Sequence, residues 1–126
     1  MDLQLKIYES DKRIRLDIQS HYKGSLNYLK FNKQQGMAIK INDNVTFFDA
    51  FYVGRGSIGG GQYLVTGVFE IDIHILREII YSNNVEIRFS TEAGNFDFAL
   101  TLATKYGFQK FYDKYITAIE ENLNRE

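Results

Sequence analysis

The sequence predicts an α+β protein, an antiparallel sheet curled into a partial barrel or sandwich of about eight strands, with two helices packed on it. Three observations carry that reading. The first half of the chain alternates apolar and polar residues with a period of two, the signature of strands buried on one side. A stretch after Asp72 switches to helical spacing. The C-terminal residues Phe108, Phe111, Tyr112, Tyr115, Ile116, Ile119 and Leu123 then form one apolar helical stripe.

In chain order, Leu3, Leu5 and Ile7 share one face, and Glu9 to Lys12 read as a turn. Arg13 to Gln19 alternates without error and completes a hairpin. Strands are expected at Leu26–Phe31 and Met37–Ile41, followed by a turn at Asn42-Asp43-Asn44. Val45–Val53 and Gln62–Ile71 are apolar on both faces, which predicts central or doubly covered strands. Asp72 is the expected N-cap of a helix over 73–81, stopped by Ser82-Asn83-Asn84. Val85–Ser90 and Phe96–Leu100 make a second hairpin, and the final helix covers about 104–123. Residues 85–123 loosely resemble the closing hairpin and helix of a pleckstrin-homology-type barrel. The helix at 73–81 departs from that pattern, and the resemblance implies no function.

The 126 residues suit one domain and a substantial core, and no linker, repeat or proline divides them. A composition of 44% hydrophobic and 25% charged residues is that of a globular protein. The absence of cysteine excludes disulfides, thiol catalysis and thiolate metal sites. Met1 to Lys6 lacks a basic start with an apolar run, and no stretch is apolar enough to span a membrane, so a cytoplasmic protein is expected. Net charge is −1, with residues 1–35 mildly basic and the remainder mildly acidic. Without a concentrated basic face, nucleic-acid binding is not expected.

Gly54-Arg55-Gly56-Ser57-Ile58-Gly59 matches G-x-G-x-x-G, and five of the ten glycines fall in residues 54–61. A dinucleotide loop must open a helix, whose N–H groups hold the pyrophosphate. Gln62 to Thr66 reads instead as a strand, so the segment is expected to be a glycine-rich connection between strands. Asp49 lies in phase with Val45, Phe47, Phe51 and Val53. A carboxylate on that face is either functional, bonded to backbone N–H groups near a bulge or rim, or on a strand shifted by one residue. Asp49, Arg55, Ser57 and Tyr63 are therefore the candidate ligand- or partner-binding residues.

His21 and His74 form no metal spacing, and no nucleophile motif is present, so neither catalytic residues, metal nor cofactor is expected. The leading expectation is a non-enzymatic binding or accessory domain acting through a protein partner or its own dimer. The alternative is a small-molecule or lipid-binding barrel, or an enzyme, with a pocket beside Gly54–Gly61.

Overall fold

The structure, a computed structural model, describes residues 2–23, 30–92 and 94–124. The elements run β1 (Asp2–Ser10), β2 (Arg13–Lys23), β3 (Met37–Ile41), β4 (Asn44–Phe48), β5 (Ala50–Gly59), β6 (Gln62–Ile71), α1 (Ile73–Tyr81), β7 (Val85–Thr91), β8 (Gly94–Phe98) and α2 (Leu102–Asn124). The fold is α+β, as its periodicities predict. Two four-stranded antiparallel sheets form, ordered β1-β2-β6-β5 and β4-β3-β7-β8, and they do not close into a barrel.

The hairpins follow from their turn residues. Asp11 and Lys12, Asn42 and Asp43, and Gly60 and Gly61 each supply two consecutive positive φ angles. That is the requirement of a two-residue type I′ turn, whose twist matches the strands it joins. In the first of these turns the Lys12 backbone N–H donates to Glu9 Oε1 at 2.7 Å.

Alternation decides what lies inside. Ile14, Leu16 and Ile18 of β2 face Met37, Ile39 and Ile41 of β3 across one core, joined by Val65, Phe69 and Ile71 of β6 and by Ile87 and Phe89 of β7. Phe89 lies 5.9 Å from both Phe69 and Phe31, in edge and tilted geometries that aromatic pairs favour. Gly67 explains how Phe31 enters. A Cβ there would meet Phe31 Cδ2 at 3.1 Å and Phe69 Cε2 at 3.2 Å, so a glycine in a central strand makes room for the ring.

Asp72 caps α1, its Oδ1 accepting from the Ile75 N–H at 2.8 Å. Leu76 and Ile79 then bury against the core. Thr101 Oγ1 accepts from the Thr104 N–H at 3.1 Å, so α2 begins two residues earlier than the apolar stripe suggests. Three contacts dock α2: Lys105 Nζ donates to Ser82 O, Arg77 Nε to Tyr112 Oη, and Tyr115 Oη to Lys12 O. Only the first part of the stripe is deeply packed: Phe108 is buried, Phe111, Tyr112 and Tyr115 are half-buried, and Ile119 is 39% exposed.

Three expectations need correction. Val45–Val53 is not one strand, because Asp49 breaks it into β4 and β5, which belong to different sheets. Those two strands are edges and not central, whereas Gln62–Ile71 is central as predicted. Gly54–Gly61 is not a loop: β5 runs through Gly59, and only Gly60 and Gly61 turn. The expected strand at Leu26–Phe31 falls largely outside the described residues, with Phe31 bridging Thr91.

Phe89→Ala is expected to lose about 3–5 kcal/mol, the usual cost of emptying an aromatic core site. Gly67→Ala is expected to lose about 1–3 kcal/mol through overpacking against Phe31. Urea unfolding of both variants against the wild type checks this.

Candidate functional site

Asp49 occupies the single position between β4 and β5, where the chain leaves one sheet for the other. Its Oδ1 accepts from the Gln35 N–H at 2.8 Å, and the next residue's N–H, that of Ala50, donates to Lys33 O at 2.7 Å. The loop before β3 is thereby tied to the crossover. Gly36 is required in that loop, since a Cβ would sit 2.0 Å from the Asn32 carbonyl oxygen. Asp49 is exposed and bound to backbone, so its apparent place on an apolar strand face is an artefact of joining two strands. This is the second of the three arrangements expected for it.

Arg55, Ser57 and Tyr63 come together on the β5–β6 ribbon. Arg55 pairs with Val65 and Ser57 with Tyr63, which puts all four on one face of the sheet. Ser57 Oγ accepts from the Gly59 N–H at 3.4 Å. Asp49 lies six residues back along the chain from Arg55, and a strand rises about 3.3 Å per residue, so it does not join that group.

One residue separates β4 from β5, so the end of one edge strand meets the start of the other. Their exposed side chains are large and apolar. Val45 and Phe47 stand on β4, and Phe51, Tyr52 and Ile58 on β5, with Phe47 57% and Phe51 58% exposed. Periodicity did not mark them, because it treated the segment as buried on both faces. The signal lay in the sum of two facts, apolar side chains and edge positions, and only pairing supplies the second.

Behind β5, the outer face of the first sheet is unusually dense. The Phe51 ring lies over the Arg15 guanidinium at 4.2 Å, and Arg13 and Arg15 both pair with Glu70, at 3.1 and 3.4 Å. Arg15 Nε and Asp17 Oδ1 are buried there without a hydrogen-bond partner among the described residues. Burial pushes the Asp17 carboxyl above its ordinary range, opposed by a hydrogen bond with Gln19 and the charge of Lys6.

On the second sheet, the outer face forms a groove of about 590 Å³ between Val45 and Phe47 on one side and Asp97, Phe98 and Leu100 on the other. Its charges are already matched: Lys40 with Glu86 at 3.7 Å, and Arg88 with Asp97 at 2.7 Å. The Arg88 guanidinium holds the Asp97 carboxyl below its usual range. Polar groups satisfied by one another offer a small ligand little to bind.

Among the described residues, no cluster of three or more His, Asp or Glu is placed to hold a metal ion. Nor is any helix there long and apolar enough to cross a membrane. No protein family, curated protein or solved structure matches the chain.

The Asp17 carboxyl generates a pH prediction. A carboxyl with a raised folded-state pKa contributes fully below its unfolded value, and that contribution is lost as pH rises through the folded one. Asp17→Asn is therefore expected to raise stability at neutral pH, by under about 1 kcal/mol given solvent screening. At a pH below the carboxylate range it should leave stability unchanged. Melting temperatures at both pH values decide the point, and equal values at neutral pH would refute the desolvated carboxylate.

Proposed function

We propose that this chain is a non-enzymatic binding domain that engages a protein partner through the β4–β5 side. One observation carries the reading. Among the described residues four strands are sheet edges, and they are protected unequally. β1 carries Lys6 and Glu9 and has α2 beside it, and β8 carries Asp97. β4 carries no charge, and β5, ten residues long, carries only Arg55.

Soluble proteins guard their sheet edges with charges, prolines or a covering element, because an open edge is a template for another strand. Here the two weakly guarded edges follow one another in the chain, and five exposed apolar side chains decorate them. Strand addition onto such an edge, with apolar contacts beside it, is a recurring way of binding proteins. Arg55 and Ser57 lie on the β5 edge with Tyr63 on the strand beside it, and Asp49 holds the link between β4 and β5. The alternative, a ligand-binding barrel or an enzyme with a pocket near Gly54–Gly61, has less support. Its premise was a pocket under a glycine-rich loop, and most of the segment is an extended edge strand.

The Phe47→Lys/Ile58→Lys variant places guards on both edges at exposed positions, where substitution changes stability by only about 0.5 kcal/mol. A protein retained by the wild type should be lost from the variant, with affinity reduced at least about tenfold. Equal retention by both, together with a rise in melting temperature on adding a metabolite or lipid, would reverse the reading.

A further inference from the structure

The β5 edge constrains what can pair with it, and its constraints are self-complementary. β5 has register irregularities between Ala50 and Tyr52 and between Ser57 and Gly59, so a regular ladder is confined to Tyr52–Ser57. Suppose a second β5 adds antiparallel, extending the sheet across a two-fold axis. Opposed residues must then point to the same face, so the axis must pass through a residue and not between two. Within the regular stretch, only Gly54 and Arg55 can occupy the axis with two pairs on either side.

An axis at Arg55 would set two guanidinium groups directly opposite, which is destabilising. An axis at Gly54 sets Gly54 against Gly54, Val53 against Arg55, and Tyr52 against Gly56. The side chains fit this second register. Tyr52 is 54% exposed, and its hydroxyl end lies 2.4 Å from where a Cβ on Gly54 would be, so the ring leans along its own strand toward the axis. A glycine on the axis admits both rings. Gly56 has open space above it, with nothing within 4 Å of a Cβ position. An aromatic side chain facing a glycine across a strand pair covers backbone that would otherwise be bare. The chain's net charge of −1 does not hold two copies apart.

From these features we propose that the partner of the β5 edge is a second copy of this chain, joined antiparallel about Gly54 into one continuous eight-stranded sheet. The inference rests on the β4–β5 side being a protein-binding surface, and it adds the identity and register of the partner.

Because the chain has no cysteine, single-cysteine variants read the register directly. Opposed positions lie about 4.5–5.5 Å apart between Cα atoms, within disulfide reach. Tyr52 and its own copy would be four residues out of register, about 13 Å apart. Mild oxidation of Tyr52→Cys mixed with Gly56→Cys should give a covalent species of twice the chain mass, while neither variant alone should. The wild type should show a concentration-dependent doubling of mass in analytical ultracentrifugation, lost in Tyr52→Lys/Gly56→Lys and restored in Tyr52→Lys/Gly56→Glu.

A wild type that stays monomeric throughout the micromolar range, with no cross-link in the mixture, overturns the inference. Cross-linking of either variant with itself as strongly as in the mixture overturns the Gly54 register. If the wild type is monomeric but Phe47→Lys/Ile58→Lys loses a bound protein, the second copy is refuted and the binding surface stands. If it is monomeric and that variant loses nothing, both are refuted.

Discussion

The contact of Phe89 with Phe69 and Phe31 is the constraint on which the rest of the structure depends. Each four-stranded sheet has one apolar face, and neither is stable until that face is covered. Phe69 comes from the centre of one sheet and Phe89 from the centre of the other. Phe31 comes from the segment leading into β3 and fills the space that Gly67 leaves open. Once these rings meet, the loop before β3 is fastened by bonds from the Asn32 N–H to Ser90 O and from the Ser90 N–H to Gly36 O. Asp49 then has its backbone partner in reach.

That arrangement also determines what is left uncovered. The two sheets share one interior, and α1 and α2 close over part of it, with α2 lying beside β1. No described element lies beyond β4 or β5. The one-residue crossover at Asp49 joins the two open edges end to end, Val45 and Phe47 standing on the outer face of one sheet and Phe51 on that of the other. The proposed role of these edges in protein binding follows from their exposed apolar side chains and from the lack of charge on β4 and its near-absence on β5.

The glycine-rich segment takes its meaning from the same geometry. Gly60 and Gly61 turn the chain, with positive φ angles that suit glycine. Gly54 and Gly56 have no such need. They lie in a regular edge strand and leave its outer face low enough for an aromatic ring to cross. Two kinds of glycine use are thus run together in one motif-like string, and neither is the phosphate cradle that its spacing imitates.

Local periodicity by itself determined the secondary structure well. The first hairpin, the helix capped by Asp72, the second hairpin and the C-terminal helix all follow from side-chain alternation and capping chemistry, which act between near neighbours. Eight strands were expected and the described residues form eight, by a different division: Val45–Val53 supplies two, and the expected strand at Leu26–Phe31 falls largely outside the described residues. The break at Asp49 was illegible because apolar residues continue on both sides of it. Its cause is a bond to Gln35, fourteen residues away, and membership of two different sheets. Edge or centre is likewise a matter of which strands pair, and pairing is decided by burial of the common core. Tertiary structure alone therefore turned Arg55, Ser57 and Tyr63 into one face of an open ribbon and left Asp49 as the link between two sheets.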